Sequence, residues 1–575
     1  MNIFGSFEIG KKSLYAAQTG QSTTGHNIAN VNTEGYSRQD VLQSASRPTD
    51  LGEGTGVDVN GIRRIQDIFT KKKVVEEQAN VGTWEAKAET MARTEIIYTD
   101  LEGNGLRAAL DEFWGAWGQV ANEPEKSVFR KALLSKSEQL CERFQTVDNK
   151  LKVLRKDIDA KVAIEMSEIN TYAKQLAKLN RQIQDIERKD VKANDLRDQR
   201  EVLLDKISRK IDINWFENKR GNIEVQVGNG HFLVHDLEAN ALIPRKTAGD
   251  VGFSNINIMT SGQKYDITDT VKGGSLKERI DLRDGVLKQY KENIDHMAKE
   301  LSFEVNRIHA SGTGIFNAKA NETSSFGLNE EARSQPLPYL ETGKFEIKLI
   351  DEDNEITETL TVELEAGKET LESIVKKINI AAGGKYLEGE NGKEALNTDE
   401  SGLKAQMNKD GSVSLTAMRG NRFIFGEDNT NVLPVLGFNT FFQTIEGAED
   451  LRVNKLLIED EMGISSGYDL IPGDNRVALE IAALQFNPTM EEDSLTFNEY
   501  YNSQVIDVGL RMERAQKGEA NHKQTLDHFI KLRDSISSVN VDEEMANMIK
   551  YQRAYEASAK FISTIDEMTQ TLVNM

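Results

Sequence analysis

The stretch GHNIANVNTEGY, Gly25 to Tyr36, closes the amphipathic pattern with which the chain begins. Asn30, Asn32 and Thr33 favour turns because their side chains bond nearby backbone. Gly35 admits positive φ at little steric cost. Tyr36 offers a large anchor beyond the turn. The spacing predicts a helix that runs out at Ile28-Ala29, followed by a shaped exit in which Asn27, Asn30, Asn32, Gly35 and Tyr36 are the marking residues.

Upstream of this exit, Ile3, Phe7, Gly10, Leu14, Ala17, Gln21, Thr24, Ile28 and Val31 alternate in steps of four and three. That is the seam of a helix packing in a coiled-coil manner. Gly10, Gln21 and Thr24 weaken it, so the helix is marginal alone and needs a partner. At the other end, Asn540 can cap a helix and Glu543 stands three residues on. Val541, Met545, Met548, Gln552, Tyr555, Ala559 and Ile562 repeat the same steps. Ile565, Met568 and Leu572 carry the stripe on with a shift of phase. Two readings fit: each terminal helix packs on the body, or the two ends pair with each other and with neighbouring copies.

The 575 residues suffice for three or four domains. Hydrophobic residues make up 38% and charged residues 29%, a well-charged composition that can still build cores. Lys and Arg total 71 against 93 Asp and Glu, a formal net charge of −22. With that excess and no basic block, a nucleic-acid partner held by phosphate contacts is not expected. The single cysteine, Cys141, allows no intrachain disulfide. It points to a reducing compartment, or to a chain that must travel unfolded through a narrow conduit. The start, MNIFGSFEIGKK, lacks the apolar core of a secretory signal peptide. No run is long and apolar enough to predict a membrane-spanning helix. Taken alone, these features make the cytoplasm the default location.

Along the body, Val57 to Ile65 reads as a short strand or turn, with helix resuming near Asp67. Leu110, Phe113, Trp114 and Trp117 share a helical face, which points to packing before ligand stacking. Leu140, Phe144, Val147, Leu151, Leu154 and Ile158 begin a long helix. Its phase shifts at Val162 and continues through Ile169, Tyr172, Leu176, Leu179, Ile183 and Ile186, a span of about 70 Å at the usual rise. A second helix follows over 193–207, with Asn194 as its cap. Residues 211–271 alternate as strands, a β-rich insertion. His231 and His235 fall within it, too far apart along a strand to share a metal, and no third ligand is evident. Ser275 and Glu278 form a capping box for a helix to about His309. No lysine-threonine or lysine-serine pair follows Gly273-Gly274 in the place a phosphate loop requires, so a loop-to-helix joint is expected. Residues 341–442 read as an α+β module, with strands near 345–349, 360–364, 413–415 and 423–425, a helix at 370–378 and an exposed loop over 381–402. A second capping box, Thr496 with Glu499, reopens helix toward the end. No nucleophile motif, HExxH or metal cluster appears, so neither catalysis nor a cofactor is expected.

Asn27 to Tyr36 closely resembles the N-terminal signature shared by flagellar rod, hook and hook-associated proteins. Asp542 to Lys560, DEEMANMIKYQRAYEASAK, resembles the matching C-terminal signature, at the correct opposite end. Phe113-Trp114-Gly115-Ala116-Trp117, leading to Ala121-Asn122-Glu123-Pro124-Glu125, together with Asn194-Asp195-Leu196-Arg197-Asp198-Gln199-Arg200, is similar to motifs of the hook-associated protein 1 family. The resemblance covers the ends and most of the helical body. It is weakest from about Asn317 to Phe442 and departs at Leu276 to Arg283.

The resemblance implies a mainly α, elongated, multidomain axial protein with β-rich insertions and paired, coiled-coil-like N- and C-terminal helices. Three parts are expected: 1–45 with 536–575 as the tube core, 46–330 with 443–535 as a helical body, and 331–442 as an outer α+β domain. The implied role is a structural ring at the junction of hook and filament, which permits the flagellin filament to assemble. Ile3, Phe7, Leu14, Ile28, Val541, Met545, Met548, Tyr555 and Ile562 are the expected subunit-assembly residues. The implied partners are copies of itself, hook protein and the second junction hook-associated protein. A cytoplasmic export chaperone is implied at Met548, Tyr555, Ile562, Ile565, Met568 and Leu572. Export is implied to run through the flagellar type III apparatus, without membrane insertion, to the extracellular flagellum. Another axial subunit, of hook or distal rod, and a surface adhesion module on an axial scaffold are the alternatives.

Overall fold

The computed structural model describes residues 3–48, 52–99, 105–188, 191–246, 252–260, 262–315, 318–388, 394–397 and 401–573. In chain order the helices are α1 (Ile3–Ala29), α2 (Ile68–Tyr98), α3 (Leu106–Asn122), α4 (Ser127–Glu187), α5 (Asn194–Lys210), α6 (Ser275–Asp281) and α7 (Leu287–Ala310). They continue with α8 (Leu371–Ala381), α9 (Val432–Leu436), α10 (Lys455–Glu459), α11 (Arg476–Ala483), α12 (Phe497–Ser537) and α13 (Val541–Val573). The fold is mainly α with β-rich insertions. The chain forms two compact units, Met1–Arg93 with Arg155–Val286 and Arg511–Met575, and Thr94–Leu154 with Leu287–Leu510.

In the first unit, α1 and α13 lie antiparallel. Ser13 and Ser558 meet Oγ to Oγ at 2.7 Å, and Asn27 bonds Glu544. The long α4 continues without a break through Val162, which is buried. Its Val162, Ile169 and Leu176 pack with Leu204 and Ile207 of α5 and with Leu276 of α6. The same core takes Ile223, Val225, Ile256 and Ile258 from two antiparallel sheets. One is a four-stranded meander over Ile213–Glu217, Ile223–Val227, His231–His235 and Glu238–Ala239; the other joins Ala241–Lys246, Ser254–Thr260 and Gln263–Asp266. Fully burying each such aliphatic side chain contributes about 1.5–3 kcal/mol. His235 lies on its strand with Nδ1 3.3 Å from Glu224 Oε2, and the His231 ring faces Tyr265.

Two caps differ from the sequence reading. Asn194 is the first residue of α5 and does not cap it; its amide is drawn to Gln39 Oε1 at 3.1 Å and the Ile62 carbonyl at 3.2 Å. Ser275 does not cap α6 either. Its hydroxyl donates to Glu165 at 2.8 Å, and Glu278 pairs with Lys87 at 3.4 Å. In both cases a tertiary partner outcompetes the local bond. The helix expected to reach His309 is also interrupted, by a π-helical turn at Leu282–Val286. The turn aims Arg283 inward, fully buried, to donate to Asp159 at 2.6 Å and the Ser254 carbonyl at 3.0 Å. Arg155 donates to the Arg283 carbonyl at 3.0 Å, occupying an acceptor that the bulge leaves free.

In the second unit, Phe113, Trp114 and Trp117 of α3 are buried. They meet Phe442, Phe497 and Phe441 at ring distances of 5.5, 6.0 and 5.1 Å. Thr496 and Glu499 form the expected capping box: the Glu499 N–H donates to Thr496 Oγ1 at 3.2 Å, and the Thr496 N–H donates to Glu499 Oε2 at 2.9 Å. The α+β module sets Gly343–Ile350 between Ile356–Leu364 and Arg422–Asp428 in one antiparallel sheet. Val413–Ala417 lies between Asn321–Thr323 and Leu403–Met407 in another. Thr370 caps α8, whose Ile374 and Ile378 share a core with Ile347, Leu360, Leu415 and Phe425. The segment expected as a loop carries a hairpin, Lys385–Glu388 with Glu394–Asn397.

Candidate functional site

The two ends of the chain converge on a polar junction. Asn27, buried at 1% exposure, uses its whole amide. Its Nδ2 donates to the Gln39 carbonyl and to Glu544 Oε2, each at 2.9 Å. Its Oδ1 accepts from the Gln39 N–H at 3.0 Å and from the Tyr36 hydroxyl at 2.8 Å. Glu544, at 2% exposure, also takes Arg38 Nε at 2.8 Å, while Arg38 Nη1 reaches Glu543 at 3.0 Å. A buried carboxylate is tolerable only when paired and bonded in this way. Asn540 caps α13 through the Asp542 N–H at 3.0 Å.

The exit turn is built as its residues dictate. The Asn30 side chain donates to the His26 carbonyl at 3.0 Å and accepts from Thr33 Oγ1 at 3.1 Å. Asn32 is exposed. Gly35 adopts φ 76°, and a Cβ there would stand 2.3 Å from Val202 Cγ2 of α5. Only glycine satisfies both conditions.

The start of α5 receives this turn. Asp198 accepts the Ser37 N–H at 3.0 Å and Arg64 Nη1 at 2.7 Å. Arg64 also reaches Glu201 at 2.8 Å from the strand Val57–Arg64, which pairs antiparallel with Gln39–Ala45. Asp195 accepts Gln39 Nε2 at 2.7 Å and faces His26 at 3.3 Å. Burial pushes the Asp198 carboxyl up, with Arg64 opposing. Burial, and then Asp195, Asp198 and Glu544, push the Tyr36 phenol up, so it stays a donor. Arg197 holds Glu187 at 2.7 Å; against the effect of burial, that bond brings the Glu187 carboxyl down to about 2. Arg200 is buried and donates to Asn180 at 3.1 Å and the Gly221 carbonyl at 2.8 Å.

Above the junction the helices meet through small residues. Gly10, Ala17, Gly20, Thr24 and Asn27 are buried. They step by seven, three, four and three. A Cβ on Gly20 would stand 2.4 Å from the Tyr551 ring, and one on Gly10 2.6 Å from Ile562 Cγ1. Opposite them run Glu544, Met548, Tyr551, Ser558, Ile562 and Ile565. Of the expected assembly residues, Met548 and Ile562 line this seam, and Leu14 and Ile28 are half-buried beside it. Phe7, Val541, Met545 and Tyr555 are exposed, and the side chain of Ile3 lies outside the described residues. Among the residues expected to meet a chaperone, Ile565 is buried against the pair while Met568 and Leu572 are 56% and 59% exposed. Phe4, Tyr15 and Ile549 add to the outward apolar set.

Arg38, Gln39, Arg64, Asp195, Asp198 and Glu544 were not singled out as site residues in the sequence. Their signal was faint: a polar helix start at 194–200 and a glutamate where the α13 stripe needs an apolar residue. The junction joins its elements through ion pairs and amide bonds, the chemistry of a clamp. Among the described residues, no group of three His, Cys, Asp or Glu side chains is placed to hold a metal ion, and no helix is long and apolar enough to cross a membrane.

Residues 91–323 match the model of the flagellar hook-associated protein FlgK helical domain, and residues 534–575 match the flagellar basal body rod FlgEFG protein C-terminal model. Flagellar hook-associated protein 1 of Bacillus subtilis is 24% identical over 586 residues, covering 100% of this chain and 98% of the relative. Its counterpart in Salmonella typhimurium is 24% identical over 576 residues, covering 98% of each. The solved flagellar hook junction protein FlgK from Burkholderia pseudomallei shares the fold at a TM-score of 0.51 and 14% identity, over 81% of this chain and 100% of that one. The fold and paired ends are those of a structural flagellar axial protein. Within that class, the chain is similar to flagellar hook-associated protein 1 over nearly its whole length.

Proposed function

We infer that this chain is a structural component of the bacterial flagellum, which forms the junction between hook and filament and permits the filament to assemble. The observation that carries this reading is the joining of both chain ends into one helix pair with large apolar side chains turned outward. Such residues on a well-charged chain call for burial against neighbours. The neighbours are further copies in a ring, hook protein on one side and the second junction protein on the other. Phe7, Val541, Met545 and Tyr555 are assigned to contacts between copies, and Met548 and Ile562 to the pair itself. Residues 1–45 with 536–575 supply the tube core, 46–330 with 443–535 the body, and 331–442 an outer domain.

The chain reaches the extracellular flagellum through the flagellar type III apparatus, and the single buried Cys141 suits passage without cross-links. Before export a cytoplasmic chaperone covers the α13 stripe. Because Ile562 packs against α1, chaperone and α1 compete for it.

Cells lacking the chain test the reading. Bare hooks with free flagellin in the medium are expected under electron microscopy. Missing hooks would move the chain to rod or hook, and intact filaments would refute the junction role. Met548→Asp with Tyr555→Asp should leave a soluble monomer that cannot assemble.

A further inference from the structure

We propose that Asn27, Arg38 and Glu544 form a polar lock that admits only one alignment of the terminal helices and fixes that alignment to the body. The inference rests on the paired-end reading above and adds what sets the register. On α1 the seam is Gly10, Ala17, Gly20 and Thr24, whose short side chains discriminate weakly between alignments. The two steric marks, Ile562 over Gly10 and Tyr551 over Gly20, are side-chain contacts that a rotamer change can relieve. Glu544 cannot be relieved so easily. It stands in the seam at 2% exposure, with the Asn27 amide at 2.9 Å and the Arg38 guanidinium at 2.8 Å donating to it.

The aligned pairs are Gly10 with Ile562, Ser13 with Ser558, Gly20 with Tyr551 and Asn27 with Glu544. A slip of one heptad sets Glu544 opposite Gly20, or carries it past the end of α1 at Ala29. Either way a buried carboxylate loses its amide donor. A buried polar group that lowers stability yet specifies register is the best attested use of such residues. The lock also reaches beyond the pair. Asn27 holds both backbone groups of Gln39, and Gln39 Nε2 holds Asp195 of α5 at 2.7 Å. Asn27 thus sets where the pair begins relative to the body of its own unit.

Disulfide trapping in the full-length chain tests the lock. Ser13→Cys with Ser558→Cys reports the observed alignment; Ser6→Cys with Ser558→Cys reports a slip of one heptad. In the otherwise unchanged chain, the first pair is expected to cross-link and the second to stay reduced. Adding Asn27→Leu and Glu544→Leu is expected to raise the slipped product by about tenfold at the expense of the aligned one. An aligned product alone in that background overturns the lock. If the double change abolishes both products, Arg38→Leu decides, with slipped product expected and aligned product alone overturning the proposal. No cross-link in either pair of the unchanged chain also overturns it. Complementation of cells lacking the chain is scored separately, so failure of the junction role is read from flagella and failure of the lock from the cross-links.

Discussion

Gly20 of α1 lies beneath the ring of Tyr551 in α13, so close that a Cβ at residue 20 would stand 2.4 Å from ring carbon Cε1. Gly20→Val requires the Tyr551 ring or the helices to shift, and overpacking of this kind costs about 1–3 kcal/mol. For a seam with so little apolar area, that loss opens the pair. Limited proteolysis is expected to cut residues 3–35 much faster in the variant, with the remaining domains equally resistant. Unchanged protection would show that the ring moves aside freely.

Asp198 anchors the exit turn to α5. Asp198→Ala leaves the Ser37 N–H without its acceptor and Arg64, 5% exposed, with Glu201 alone. The expected loss is about 2–4 kcal/mol in urea unfolding of the first unit. Asp198→Asn keeps an acceptor for Ser37 and should lose less.

Met545 and Met568, 54% and 56% exposed, turn away from the pair. Met545→Asp and Met568→Asp are expected to leave the free chain's helix content and melting temperature unchanged, yet prevent incorporation into flagella. Normal flagella from both variants would remove these residues from the contact surface.

His309 predicts a pH dependence for the second unit. Burial brings its imidazole down from an ordinary 6.5 to about 3. Its Nδ1 bonds the Asn439 carbonyl at 2.7 Å, and Nε2 accepts the Ser465 N–H at 2.9 Å, so the neutral ring is the one held. The unfolded chain takes up a proton below 6.5 and the folded chain does not until about 3. This contribution is therefore present above pH 6.5 and is lost between 6.5 and about 3, by about 1.4 kcal/mol per pH unit. Denaturant titrations across that range should show the slope in the native chain. His309→Phe should reduce it, and should cost about 2–4 kcal/mol at pH 7 by leaving both partners unpaired.

Cys141 is buried, and burial pushes its thiol up to about 12. A thiol reagent at pH 8 is expected to leave the folded chain untouched and to label one site after unfolding. Rapid labelling of the native protein would contradict the burial.

Long helices were the most legible elements, because a sustained period of three and four is hard to imitate. The steps of four and three at both ends were also real, and Gly10, Ala17 and Thr24 of the expected α1 seam are buried, but the positions between them were one residue off. The expected steps passed through Leu14, Gln21 and Ile28, whereas the buried line runs through Gly20 and Asn27, with the half-buried Ser13 bonded across it. Close approach selects small residues, which an apolar count undervalues, and it frees the large ones for other surfaces. The turn at Asn27 to Tyr36 was legible as a turn from its residue types. Its partners Asp195, Asp198 and Glu544 lie roughly 160 to 520 positions away, and no local pattern announces them. The caps at Asn194 and Ser275 failed for the same reason: the local bond was available, and a distant partner was better.

The Arg38 N–H donates to the Ser537 carbonyl at 2.8 Å, at the last residue of α12 and four positions before α13 begins. That bond holds the root of each terminal helix beside the other. Pairing becomes an intramolecular event at an effective concentration on the order of millimolar, as for tethered binding modules. A seam too weak to join two free peptides can close under that condition. Peptides spanning α1 and α13 alone should stay apart and largely unfolded when mixed at micromolar concentration. The same two segments, carried on one folded chain, need no stronger attraction than glycine and serine provide.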